Sequence, residues 1–247
     1  MTLLNHRLPI ISTIFAIIIV VLPTCAQISG IIVLILILVL YIVGKFIPKT
    51  IIINGEKTKI VLEYGDLLQK KDGIVIIPVD RNYNTLVDDV IISSKSLHGK
   101  FINTIVEDRN KLIEMIASEL KTEYNVEKSF KTQKPGMVVP ITIQNCTYYL
   151  LALSKLDHNY EAQCTPEEYA KAILNLMQYI NTNFNGKIVY MPLIGGGLSA
   201  VFGSVDKTES LQILVSLIKL SQYSRIQEIH IVINKDSKHR ASIYKIE

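Results

Sequence analysis

The chain has 247 residues, 49% hydrophobic and 19% charged, with a mean hydropathy of +0.32. Its 26 basic and 22 acidic residues give a formal net charge of +4, but only Arg7, Lys45 and Lys49 among them precede Thr50. The 23 basic and 22 acidic residues after Thr50 leave a net +1, a balance that argues against a nucleic-acid partner, which needs a basic face. Three scattered cysteines, Cys25, Cys146 and Cys164, give neither a disulfide framework nor metal-ligand spacing with the five histidines. They read as reduced thiols, with no metal site and no cofactor.

The first 49 residues hold two apolar runs, Leu8–Leu22 and Ile31–Val43, around "PTCAQISG" with its turn formers Pro23, Ser29 and Gly30. A bilayer core of about 30 Å needs roughly 20 helical residues, with a lower limit near 17. Leu8 to Gly44 therefore accommodates two crossings joined by a tight turn. The expectation is a transmembrane hairpin, about 8–25 and 29–47, in a unit 1–49, followed by a domain 50–247. Arg7, Lys45 and Lys49 flank the runs, which places both termini in the cytoplasm. A signal peptide ending near "LPTC" or "CAQ" fits less well, because a second apolar run follows at once. A buried hairpin would need complete burial by a small domain. In "KFIPKT", Pro48 interrupts any helix that leaves the second run.

Along the domain, residues 51–66 read as a β-hairpin with Asn54-Gly55 as a type I′ turn. "GIVIIPVD" (73–80) is a short apolar strand of the kind covered on both faces. Helical spacing runs over 86–101 and again over 107–124. "GMVVPITI" and "TYYLLAL" are strands joined at Gln144-Asn145. "TPEEYAKAILNLMQYINTNF" is the best-marked helix: Thr165 caps it, Pro166 suits its first position, and Glu168 completes a capping box. "KIVYMPL" is a strand, 206–222 a helix, and "EIHIVIN" and "ASIYKI" close the chain as strands. Strands alternating with helices predict an α/β three-layer domain, a mixed sheet with helices on both faces.

Ligands of such sheets bind at the carboxyl ends of strands. Four segments qualify: Gly65-Asp66, "PVDRNYNT", "LSKLDHNYEAQCT" and "PLIGGGLSAVFG". The glycine run is the strongest candidate. Consecutive residues free to take positive φ can turn several N–H groups inward as an anion nest, although a permissive tight turn is the plain alternative. It is neither a P-loop nor a G-x-G-x-x-G fingerprint. Asp66 can accept from an amino group or cap the turn that follows. Asp88-Asp89 read as favourable charge at a helix start. Lys95, Ser96 and His98 lie near Gly99, and a lone histidine is usually structural. Asp80 and Arg81 sit in a candidate loop, where such a pair is usually an ion pair. No G-x-S-x-G elbow, H-E-x-x-H helix or cysteine with a base is present, so no catalytic residue is assigned.

Asp66 after the first strand pair, "VDDVIISSKSLHGKFI", "YYLLALSKLD", "TPEEYAKAILNLMQYI" and "MPLIGGGL" occur in an order that resembles a macro domain, the ADP-ribose-binding module. With two apolar runs ahead of it, the chain is similar to the membrane-anchored macro-domain effectors of bacterial Thoeris anti-phage defence. That resemblance implies an ADP-ribose-derived signal, histidine-ADP-ribose, made by a TIR-domain partner. It also implies homo-oligomerisation on activation, disruption of the lipid bilayer of the bacterial inner membrane, and abortive infection without enzymatic activity. By the same resemblance Asp66 meets adenine, and Gly195, Gly196, Gly197, Leu198 and Ser199 form the diphosphate loop. "PVDRNYN" stands where ordinary macro domains carry Asn-Ala-Ala-Asn, which argues for binding over hydrolysis. The distal part of the ligand then falls to Arg81, Asn84, Asp88 or His98, with Asp80 also in the ligand-binding set. A membrane-tethered ADP-ribosyl hydrolase and a membrane-anchored ADP-ribose-binding adaptor are the alternatives.

Overall fold

A computed structural model describes residues 29–30, 32–39, 50–54, 58–122, 130–183, 185–195, 206–221, 225–234, 242–243 and 246. The chain divides into two units, Met1–Pro48 and Lys49–Glu247. In the first, residues 29, 30 and 32–39 are helical, and the apolar side chains at 32, 33 and 35–39 are exposed. The expected span 8–25 lies outside the described residues, as do residues 31 and 40–47 of the expected span 29–47. No helix among the described residues is long and apolar enough to cross a membrane. This overturns the expected inner-membrane localisation, because the helical positions seen between 29 and 39 are too few for a crossing.

The second unit is built on strands β1 (Thr50–Asn54), β2 (Lys59–Gly65), β3 (Ile74–Asp80), β4 (Val138–Ile143), β5 (Cys146–Leu156), β6 (Ala162–Gln163), β7 (Val189–Pro192) and β8 (Glu228–Asn234). Helices α1 (Leu97–Ile105), α2 (Arg109–Leu120), α3 (Pro166–Thr182) and α4 (Lys207–Ser221) accompany them. The strand order is β1-β2-β8-β7-β3-β5-β4, with the short β6 beside β5. The five central strands run parallel, while β1 and β4 lie antiparallel at the two edges. This is the mixed sheet that the sequence predicts.

The alternation of side chains explains why β3 reads as one apolar run. Ile74 and Ile76 join a core with α3 and α4, while Val75, Ile77 and Val79 join a second core with α1 and α2. A strand buried on both faces has no polar position to show. In α3 the buried set is Tyr169, Ala172, Ile173, Leu176, Met177 and Ile180, one stripe at helical spacing. Its Thr165–Glu168 capping box forms as expected. The turn at Gln144 and Asn145 also forms, with φ of 48° and 66° closing the pair Ile143–Cys146.

Three local expectations fail for identifiable reasons. The first hairpin closes at Asn54–Lys59, which leaves too many residues between the strands for a two-residue turn. The helix expected over 86–101 begins only at Leu97, where the Ser96 side chain caps it by accepting from Gly99 N–H. Upstream, Asp88, Asp89 and Ser93 side chains bind nearby backbone N–H groups, and such local bonds compete with a helix. The closing strand over 241–246 is not formed at its described residues. Ser242 N–H donates to Thr208, Ile243 N–H donates to Tyr64, and Ile243 is buried.

Candidate functional site

The carboxyl ends of β2, β3, β7 and β8 open into one cleft, of about 1530 Å³, with Asp66, Asp80, Pro192 and Asn234 on its walls. Ligand pockets commonly measure about 300–1,000 Å³, so the space suits a ligand as large as a dinucleotide. The loop before α1, α1 itself and the β5–β6 hairpin also line it.

Asp66 follows the last residue of β2 and is exposed to the cleft. Its carboxylate accepts from Leu68 N–H at 3.0 Å and caps a 3-10 turn, Leu67–Gln69. Its other oxygen is given no partner by that cap, so capping and ligand contact are compatible. The glycine run starts where expected. Ile194 is buried, its carbonyl accepts from the Tyr169 hydroxyl at 3.0 Å, and Gly195 has φ 89°. Gly196, Gly197, Leu198 and Ser199 lie outside the described residues.

Asp80 and Asn84 hold their own loop together. The Asp80 carboxylate is 6% exposed and accepts from Asn82 N–H at 2.9 Å, Asn84 N–H at 3.2 Å and Asn84 Nδ2 at 2.8 Å. Burial raises its pKa, against the pull of those donors. Arg81 turns away: its guanidinium donates to Glu168 Oε1 at 2.8 Å and to the Gln133 carbonyl at 2.6 Å, and it is not among the cleft residues. Asp88 also stays outside the cleft. It accepts from Ile91 and Val90 N–H, and these bonds hold its carboxyl below the usual range. Of the residues expected to read the distal part of the ligand, only His98 reaches the cleft, together with Asp80 of the wider ligand set.

His98 lines the cleft and also packs beside Val79, Tyr83, Asn84 and Phe101. Burial pushes its pKa down to about 4, so the ring is neutral near pH 7. Because the folded value lies below the ordinary 6.5, the unfolded chain takes up its proton first as pH falls. Stability is therefore expected to drop through the window from pH 6.5 to about 4. Urea denaturation at pH 7 and pH 4.5 checks this: His98→Gln should lose less stability between the two than the unmodified chain. Equal losses would remove His98 as the cause.

Sequence reasoning passed over Asp89, Ser93, Lys100, Tyr160 and Gln163, which line the cleft. Asp89 carries φ 61° and accepts from Ser94 N–H at 2.7 Å, which bends the loop toward the cleft. Tyr160, also at positive φ, stands at the turn of the β5–β6 hairpin. Tyr160 and Gln163 lie in a loop legible as a candidate, whereas Asp89, Ser93 and Lys100 fall in 86–101, where the apolar spacing reads as a helix. Gly99 is required by close packing, since a Cβ there would lie 2.2 Å from the Ser93 carbonyl oxygen.

A mixed sheet with parallel centre, helices on both faces and a cleft at the strand ends beside a glycine loop defines a macrodomain fold. A mutant of the Oceanobacillus iheyensis macrodomain matches with TM-score 0.55 over 79% of this chain and 94% of that one, at 13% identity. Another mutant of that macrodomain, solved with ADPR, matches with TM-score 0.51 over 74% and 89%, also at 13% identity. Likeness at this identity carries the fold alone. The chain is assigned more narrowly by its sequence: residues 60–234 match the family "Thoeris protein ThsA, Macro domain", and the chain belongs to that family. It is 28% identical over 207 residues to the Thoeris protein ThsA of Bacillus amyloliquefaciens (strain Y2), covering 80% of this chain and 69% of that protein.

Proposed function

We propose that this domain is the nucleotide sensor of a Thoeris-type anti-phage defence protein. It binds an ADP-ribose-derived signal, histidine-ADP-ribose or a close relative, supplied by a TIR-domain partner. The observation that carries this reading is the placement of Asp66 and Gly195 at two strand ends along one cleft. Asp66 offers a carboxylate to an exocyclic amino group, and the glycine loop offers N–H groups to a diphosphate. Membership of the Thoeris family supplies the biological setting.

Binding is favoured over turnover because the carboxylate at the centre of the site is already committed. Asp80 accepts from three donors within its own loop, which leaves it poorly placed to activate water. Calorimetric titration of the full chain with ADP-ribose, histidine-ADP-ribose and AMP tests the proposal, with chromatography of the same samples to detect turnover. Saturable heat with an ADP-ribose compound and no new product is expected. A folded chain that gives no heat with any of them would overturn the sensor reading, and released product would replace it with a hydrolase.

A further inference from the structure

The turn between β5 and β6 is built on Asp157. Its carboxylate accepts from Asn159 N–H at 2.8 Å and from Glu161 N–H at 2.9 Å. Its carbonyl accepts from Tyr160 N–H at 3.1 Å, and its own N–H donates to the Glu161 carbonyl at 3.0 Å. These bonds hold Tyr160 at φ 61°, left-handed backbone that is costly for a bulky side chain. Glycine would suit the turn, yet the chain keeps a tyrosine that is 50% exposed and lines the cleft. Strain of this kind clusters where a ligand clamp uses it. Glu161, next to it, is also exposed and also lines the cleft. Among the described residues, neither the Tyr160 hydroxyl nor the Glu161 carboxylate has a hydrogen-bond or ion-pair partner.

Strand order fixes where in the cleft this hairpin stands. From β2 the order runs β8, β7, β3, β5. These five strands are parallel, so their carboxyl ends lie along one edge. Asp66 follows β2, and Gly195 follows β7, two strand spacings away, about 10 Å. β5 lies two spacings beyond β7 on the other side, about 10 Å further. The start of the glycine loop therefore stands midway between Asp66 and the hairpin. The next step rests on the nucleotide site proposed above. With adenine at Asp66 and the diphosphate at the glycine loop, the terminal ribose is directed toward β3, and the group on its anomeric carbon toward β5.

We propose that the β5–β6 hairpin reads a flat, positively charged substituent on that terminal ribose. The Tyr160 ring offers such a group its negative π face. The Glu161 carboxylate offers a charge-assisted hydrogen bond to an ammonium or ring N–H beside it. Plain ADP-ribose carries only a hydroxyl at that carbon and leaves both side chains without a contact. The hairpin is then the selectivity element of the cleft. It separates a substituted signal from free ADP-ribose, while Asp66 and the glycine loop hold the part that the two compounds share.

Calorimetric titration of the full chain with ADP-ribose and with histidine-ADP-ribose, whose extra group carries a flat imidazole ring and an ammonium, measures this selectivity. The substituted compound is expected to bind at least tenfold more tightly. Tyr160→Gly removes the ring and relieves the backbone, so the fold is kept, and Glu161→Gln removes the charge at nearly constant shape. Each should cut the ratio of the two affinities at least threefold and leave ADP-ribose affinity within twofold. Tyr160→Phe, which keeps the π face, should hold the ratio near that of the unmodified chain. A hairpin with a merely structural role would weaken both compounds together. Equal losses, a ratio near one in the unmodified chain, or a ratio untouched by Tyr160→Gly and Glu161→Gln would overturn the hairpin's role while ADP-ribose binding still supports the sensor reading. A folded chain that binds neither compound would remove both.

Discussion

Gly195→Val is expected to lower affinity for ADP-ribose compounds at least a hundredfold while the domain stays folded. Gly195 has φ 89°, in the region that a side chain makes costly by about 1–2 kcal/mol, and a β-branched residue resists it further. The strain cannot pass backward. Ile194 is buried, and its carbonyl is held by the Tyr169 hydroxyl, which itself projects from α3. It therefore passes forward from Gly195, on the cleft side of the held strand end. A loop strain of this size leaves most of the sheet's stability in place. Titration and urea denaturation of the same preparation separate the two effects. Affinity within threefold of the unmodified chain would reduce the glycine run to a turn.

How far the sequence announces this site depends on the range of the interactions involved. β3 and α3 are legible because their signals are local: a doubly apolar run, a stripe at helical spacing, and a cap at Thr165 and Glu168. The segment before α1 is not, since its apolar spacing imitates a helix while Asp88, Asp89 and Ser93 bind the backbone instead. Asp66 and Gly195 come from strand ends far apart in the chain, yet both line one cleft, and strand ends can be read one at a time. Arg81 could not be placed in that way. Its partners Gln133 and Glu168 lie 52 and 87 residues further on, and pattern alone does not reveal which loop meets which helix start. His98 reads in the sequence as a lone histidine near Gly99, and only the structure shows that it lines the cleft with its pKa pushed down.

Arg81→Met is expected to cost about 2 kcal/mol of stability, between what an exposed and a buried ion pair are worth. The residue is 7% exposed and ties four segments at once. Its N–H donates to the Ser154 carbonyl at 2.8 Å, its carbonyl accepts from Gln133 N–H at 2.8 Å, and its guanidinium holds Gln133 and Glu168. The β3–α1 loop is thereby joined to β5, to the segment before β4 and to the N-terminus of α3. Methionine keeps the stem and the backbone bonds but leaves the Gln133 carbonyl without that donor. Glu168 retains Lys155 at 3.0 Å, the largest influence holding its carboxyl below the usual range, which is why the cost stays below that of a fully buried pair. Adding Glu168→Gln should recover part of the loss, so that the double variant falls short of the sum of the singles. Urea denaturation measures all three chains, and a loss under about 1 kcal/mol would show that the ion pair is not structural. Because Arg81 does not line the cleft, nucleotide affinity measured well below the melting temperature should change only a few-fold. A folded Arg81→Met chain that no longer binds would instead return this guanidinium to the ligand set.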